Sequence, residues 1–173
     1  DAAGNTSGSS SVLQVTVDAI APSAPAITGF SPDSNVSGDG ITNANQITLT
    51  GTAEAGSTVK IYDGATLIKT LVADGQGAWS FTTSTLSNAT HNFTATATDL
   101  AGNISGVSSP LQVTVDAIAP AVPAITGFSP DTNVSGDGIT NASQVTLTGT
   151  AAAGSTVKVY DGATLIKTLV ADS

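Results

Sequence analysis

Acidic and amide side chains are the residues of this chain best suited to chemistry, and the chemistry they suit is the binding of a hard divalent cation. The chain carries twelve Asp and one Glu against four Lys. Ca²⁺ prefers carboxylate, amide and carbonyl oxygens and takes about six to eight of them. The sequence therefore predicts bound calcium. The candidate ligands are Asp18, Asp33, Asn35, Asp39, Asp99, Asn103, Asp116, Asp131, Asn133 and Asp137, with Asp1, Asn5 and Asp74 as further candidates.

The segment SPDSNVSGDGITN carries the clearest local pattern for calcium. Asp33, Asn35 and Ser37 alternate as the first ligands of a calcium-binding loop do, and Asp39 adds another carboxylate. The twelfth position of such a loop requires a Glu in an EF-hand, but this chain has Ala44 there. The pattern therefore predicts a calcium loop that is not an EF-hand.

Turn chemistry is the competing explanation for these residues, because Asp and Asn in loops often bond their own backbone. It applies to the segment above and to Asp99, which could cap the turn in TDLAGN. Asp63 and Asp74 are each followed by Gly and are interpreted as hairpin residues. Turn chemistry explains Asp18 and Asp116 less well, so the sequence favours a metal-binding role for this pair.

The composition gives little support for zinc binding, redox chemistry, catalysis or nucleic-acid binding. His91 is the single His, and the chain has no Cys, so neither a zinc site nor redox chemistry is expected. Nothing beyond the abundance of Ser suggests a catalytic triad, and we do not expect an enzyme. The net charge of −9 opposes binding to nucleic acid. No apolar run is long enough to cross a membrane.

The chain repeats itself with an offset of 98 residues and no gap. Residues 1–75 and 99–173 are identical at 63 of 75 positions. A period of this length is a whole domain, because about 100 residues suffice for an independent core. Near-identity indicates recent duplication within a longer tandem array.

Strand patterns dominate each period. In QITLTGT, Ile47 and Leu49 alternate with Thr, as in a strand with one buried face. Trp79 and Phe81 alternate in the same way, which predicts that they lie in the core and do not form a sugar-binding platform. Seven such strands predict an all-β immunoglobulin-like sandwich. The predicted strands A to G are 24–30, 46–53, 58–63, 66–73, 78–84, 91–98 and 109–116.

The repeat also predicts the organisation of the chain. Residues 1–18 would be the last turn and the G strand, 12–17, of a preceding module. Residues 19–116 would form a complete module, and residues 117–173 strands A to D of an incomplete one. Only AIAPAV separates Asp116 from the next strand, so we expect the acidic ends of successive modules to face each other. Close carboxylates repel by about 1–4 kcal/mol per pair, which calcium would relieve.

Several longer motifs carry a family resemblance that covers the whole chain. GTAEAGSTVKIYDGATL, ADGQGAWSFTT, THNFTATATDLAGN and VTVDAIAP resemble the bacterial Ig-like tandem repeats of very large surface adhesins exported by type I secretion, the RTX type. The resemblance implies an extracellular stalk at the bacterial surface, with calcium at the module junctions. Its partners would be the neighbouring modules of the same chain and, laterally, other copies.

Two alternatives remain open at this stage. The chain could be a subunit of a secreted filament or surface layer, in which strand edges of neighbouring chains pack side by side. It could also be an Ig-like accessory module of a secreted polysaccharide-active enzyme. Exposed aromatic residues would favour the accessory module, whereas near-identical consecutive repeats favour the stalk.

Overall fold

The computed structural model describes residues 1–172, which contain twelve β-strands and no helix. They form two compact units, Asp1–Ala117 and a second that begins at Ile118. The strands of the first unit are β1 (Ala26–Ser31), β2 (Ile41–Thr42), β3 (Thr48–Thr52), β4 (Thr58–Asp63), β5 (Thr66–Val72), β6 (Ala78–Thr82), β7 (Thr90–Thr98) and β8 (Leu111–Val115). Those of the second are β9 (Ala124–Ser129), β10 (Thr146–Thr150), β11 (Thr156–Asp161) and β12 (Thr164–Val170).

The first unit is a β-sandwich of two sheets. One sheet has the order β1-β3-β6, and the other has the order β2-β8-β7-β4-β5. All neighbours are antiparallel except β2 and β8, which are parallel. Every second residue of β7 from His91 to Ala97 is buried, so the predicted alternation places its apolar side chains between the sheets. The predicted all-β sandwich is confirmed.

The core lies between these two sheets. The side chains of Leu49, Val59 and Phe93 are fully buried, and Trp79 is 5% exposed. These residues come from β3, β4, β7 and β6, so both sheets contribute. Burying a side chain of this size stabilises the fold by about 1.5–3 kcal/mol.

The seven predicted strands of the complete module all form, with ends within two residues of their predicted positions. One feature was not predicted. The short strand β2 pairs with β8, and two residues are too few to show alternation. The hairpin expected at Asp63 and Gly64 joins β4 to β5, and β5 extends the five-stranded sheet.

Residues 12–17, predicted as the G strand of a preceding module, form no strand within residues 1–172, and their place in such a module stays a prediction. Val12, Leu13 and Val17 are 85–95% exposed, and the segment contains no strand. The second copy of the segment LQVTV forms β8 in the first unit, where β7 and β2 pair with its two edges. Within residues 1–172 the earlier copy has no such neighbours, and an isolated strand leaves its backbone groups unpaired.

The second unit repeats the local pairings of the first. β9 pairs with β10, and β11 with β12, in the registers of β1 with β3 and β4 with β5. The apolar face of its strands is exposed within the described residues. Leu147 is 42% exposed, whereas its equivalent Leu49 is fully buried. A cleft of about 560 Å³ lies between the two strand pairs.

Gly51 is a position where the sandwich tolerates no side chain. It is the register partner of Trp79, and a Cβ added there would overlap the Trp79 ring and the Ala26 carbonyl. Gly51→Ala should therefore lower the free energy of unfolding by about 1–3 kcal/mol. Urea unfolding followed by the fluorescence of Trp79, the only Trp, measures this in the first unit. Gly29→Ala, which meets open space, is the control, and an equal loss there would contradict the prediction.

Candidate functional site

Asp33 organises the loop between β1 and β2. Its Oδ2 accepts a hydrogen bond from the Gly38 backbone N–H at 2.6 Å. Its Oδ1 is buried and has no hydrogen-bond partner among residues 1–172. Asp131 repeats both features, with Gly136 as the donor. A buried carboxylate oxygen without a partner is costly, and a cation is one means of satisfying it.

Turn chemistry accounts for much of the rest of this loop. The Oδ1 of Asp39 accepts the Ile41 N–H at 2.8 Å, and Asp137 bonds Ile139 in the same way at 2.9 Å. Asn35 adopts a left-handed conformation with φ of 65°, and Asn133 does so with φ of 69°. The two carboxylates of this loop therefore make separate contacts, Asp33 with Gly38 across the loop and Asp39 with Ile41 in its own turn.

The D-x-A-G-N motif forms a turn in which the carboxylate and the amide are bonded to each other. Oδ1 of Asp99 accepts the Asn103 backbone N–H at 2.8 Å, and Oδ2 accepts the Asn103 Nδ2 at 2.8 Å. Asp1 and Asn5 repeat this arrangement at 2.9 Å. The Asn103 side-chain hydrogen bond, followed by backbone bonds, holds the pKa of Asp99 below its usual value despite some desolvation. This turn forms from local contacts.

At the incoming end of the first unit, the structure brings Asp18 and Asn103 together. The Asn103 Nδ2 donates to the Asp18 carbonyl oxygen at 3.2 Å. The Asp18 carboxylate accepts the Ile20 N–H at 3.0 Å, the same contact that Asp39 makes with Ile41, so turn chemistry accounts for one oxygen of Asp18, contrary to the expectation from the sequence. Asp18, Asp99 and Asn103 thus form one polar cluster, which we call the incoming-end cluster.

Two further candidates, Asp74 and Asp116, bond to other parts of the first unit. Asp74 accepts the Gln76 and Ala78 N–H groups in the β5–β6 turn, as expected of a hairpin residue. The Asp116 backbone N–H donates to the Thr42 carbonyl at 2.9 Å. Across the described residues no three His, Cys, Asp or Glu side chains gather as a metal centre. An ion would therefore need amide and carbonyl oxygens beside single carboxylates.

His91 has a defined contact that the sequence did not predict. Its Nδ1 lies 2.6 Å from Oδ2 of Asp63, and its Nε2 lies 3.1 Å from the Ser87 carbonyl oxygen. Burial lowers the pKa of His91, but the Asp63 hydrogen bond, the Ser87 carbonyl and the Asp63 charge together raise it above its usual value. The contact depends on the pairing of β4 with β7, which places Asp63 opposite Phe93, and no sequence pattern fixes that register.

Two buried serines that were not singled out from the sequence complete the edge of β7. Oγ of Ser105 accepts the Ala97 N–H at 2.8 Å, and Oγ of Ser108 accepts the Ala95 N–H at 2.9 Å. Their own N–H groups donate to the carbonyls of the same two alanines. In a chain rich in Ser, no pattern separates these two from the exposed ones.

Comparisons with known proteins agree with this architecture. The family model described as bacterial Ig-like domain matches residues 22–117. Exoglucanase B of Cellulomonas fimi is 37% identical over 136 residues, covering 72% of this chain and 12% of that protein. The chain thus spans about an eighth of this curated relative.

Two solved structures are also similar to this chain. One is described as the BSP domain of a biofilm associated protein, with 23% identity, a TM-score of 0.41, and coverage of 57% of this chain and 15% of that one. The other is described as fibronectin(III)-like modules of CbhA from Clostridium thermocellum, with 23% identity, a TM-score of 0.37, and coverage of 53% and 99%.

The described residues contain no helix long and apolar enough to cross a membrane. The sheets and the match over residues 22–117 concern the same segment, the complete sandwich of the first unit. The chain belongs to the bacterial Ig-like domain family.

Proposed function

We propose that this chain is a spacer segment of an extracellular stalk on a bacterial surface adhesin. The observation that carries the proposal is the gap-free repeat of 98 residues, with 63 of 75 positions identical. A binding or catalytic module gains little from near-identical consecutive copies, whereas a stalk gains length from each one. The role is structural and not catalytic.

The linker between modules suits a spacer. β8 ends at Val115 and β9 begins at Ala124, so eight residues, 116–123, connect them. Pro120 and Pro123 fix two of their φ angles and remove two backbone donors. A short linker with two prolines limits bending more than a Gly- and Ser-rich one of equal length.

We further propose that calcium stiffens this stalk. The unpartnered oxygens of Asp33 and Asp131 support a cation at the β1–β2 loop and its repeat. Carboxylate, amide and carbonyl oxygens of the incoming-end cluster are suitable further ligands. The ion would supply charge neutralisation between acidic module ends, and the net charge of −9 makes that neutralisation favourable.

Calcium should raise the stability of the chain. Ligand at about ten times its Kd stabilises the folded state by about 1.4 kcal/mol, and extracellular modules bind calcium with Kd of about 0.1–1 mM. We expect thermal unfolding to shift upward in 5–10 mM calcium, and the shift to shrink in the double variant Asp33→Asn/Asp131→Asn. Asn keeps an oxygen for the Gly38 and Gly136 N–H groups. Asp161→Asn/Asp172→Asn removes the same charge elsewhere and should leave the shift intact.

Stiffening is tested separately, by small-angle X-ray scattering of the whole chain with calcium and with a chelator. We expect a longer and more narrowly distributed maximum dimension with calcium. Superimposable scattering profiles, at calcium concentrations that do shift the unfolding temperature, would show binding without stiffening and would sink this part of the proposal.

The accessory-module alternative has one observation in its favour, the 37% identity to Exoglucanase B. The aromatic residues of the first unit argue against sugar binding. Trp79 and Phe93 are buried, and Phe30, Tyr62 and Phe81 are half-buried, so the described residues of that unit offer no fully exposed aromatic ring for stacking on a sugar, although Tyr160 of the second unit is 53% exposed. We therefore favour the stalk.

A further inference from the structure

The ring of His91 is held between two hydrogen-bond acceptors. Nδ1 faces the Asp63 carboxylate at 2.6 Å, and Nε2 faces the Ser87 carbonyl at 3.1 Å. A neutral imidazole has one N–H and one lone pair, so it can donate to only one of them. The imidazolium donates to both. The geometry therefore suits the protonated ring, and deprotonation leaves one acceptor facing a lone pair.

Asp63 is the charged group that contacts the His91 ring. The Asp63 Oδ1 also accepts the Asn92 N–H at 3.2 Å, which fixes the carboxylate. From β8, Val113 is the register partner of His91, and on β7 the ring of Phe93 stacks at 5.9 Å. The loop between β6 and β7 contributes an uncharged carbonyl. The imidazole side chain is 10% exposed, so solvent screens this pair only in part.

The loop that His91 holds is also bonded to the outgoing end of the first unit. Ser87 precedes Asn88, whose Oδ1 accepts the Ala117 backbone N–H at 3.1 Å. The carbonyl of Ala89 accepts the Val115 N–H at 2.9 Å. Displacing this loop would therefore disturb the residues that lead from β8 into the linker.

We propose that His91 is a proton-dependent latch, in which the imidazolium ties the β6–β7 loop to the end of β4 and thereby orders Ala117. The proposal concerns the first unit alone and does not depend on bound calcium.

The direction of the pH dependence follows from the contacts. Burial lowers the pKa of His91, but the contacts with Asp63 and Ser87 outweigh it, so the pKa is raised in the folded chain. The latch is therefore fully formed below the ordinary His pKa of about 6.5 and is lost as the pH rises through the higher folded value.

Because His91 is the only His, nuclear magnetic resonance of the whole ¹⁵N-labelled chain can follow it without ambiguity. We expect its ring signal to titrate with a midpoint above about 6.5, and the Ala117 amide signal to shift with the same midpoint. Asp63→Asn should lower the ring midpoint by about one pH unit or more, since it removes the adjacent charge. Asp161→Asn alters the repeat equivalent of Asp63 and should change neither signal.

Asn88→Ala separates the two halves of the proposal. It should leave the ring midpoint in place and abolish the titration of the Ala117 amide. If Asp63→Asn fails to fold, His91→Gln replaces it. Like Asn88→Ala, His91→Gln should abolish the titration of the Ala117 amide. A ring midpoint at or below about 6.5, or an Ala117 amide that titrates unchanged in Asn88→Ala or His91→Gln, would overturn the latch.

Discussion

Leu49→Ala should lower the free energy of unfolding of the first unit by about 2–5 kcal/mol. The Leu49 side chain is fully buried between the sheets and belongs to the main apolar cluster. Its removal loses the burial energy of the deleted carbons and leaves a cavity that the strands around it cannot fill. A loss of this size is a large part of the total stability of a small domain.

The repeat offers a matched control at the equivalent position of the second unit. Leu147 has the same neighbours in sequence and the same place in its strand pair, but it is 42% exposed. Trp79 lies in the core of the first unit, so its fluorescence during urea unfolding reports on that unit alone. Leu147→Ala should leave the Trp79 transition unchanged. Equal midpoints for the wild type and Leu49→Ala would show that the sandwich core is not where the structure places it.

The fold was predictable because strand alternation is a local property. Ile47 and Leu49 alternate with Thr in the sequence, and the two faces of β3 follow directly. Residues 12–17 form no strand within residues 1–172. They repeat the sequence of β8, but a strand also needs a neighbouring strand, and alternation does not show whether one is present.

The candidate site was less predictable, because the role of an Asp depends on loop conformation. In the sequence, Asp33 begins a calcium-loop spacing with Asn35 and Ser37, and Asp39 adds another carboxylate. In the structure Asp39 closes its own turn, whereas Asp33 reaches across the loop to Gly38 and keeps one oxygen unpartnered. The contact between Asp63 and His91 depends on the register of β4 against β7, which alternation leaves undetermined.

Replacing both buried serines beside β7, in the double variant Ser105→Ala/Ser108→Ala, is expected to cost about 2–6 kcal/mol of unfolding free energy. Each Oγ accepts a backbone N–H of β7 and donates to a carbonyl of its own segment, Gly106 or Ser109. Alanine would leave buried backbone groups without partners, which costs about 1–3 kcal/mol for each donor.

Ser7 and Ser10 are the repeat equivalents of these serines and provide the matched control. Both are exposed in the segment before β1. Ser7→Ala/Ser10→Ala should leave the Trp79 unfolding transition within about 0.5 kcal/mol of the wild type. The difference in stability between the two double variants would then come from burial of the serines against β7, because the substitutions are the same. If the two double variants were equally stable, the serine hydroxyls would not replace missing strand hydrogen bonds, and the segment from Ser105 to Ser108 would be held by backbone bonds alone.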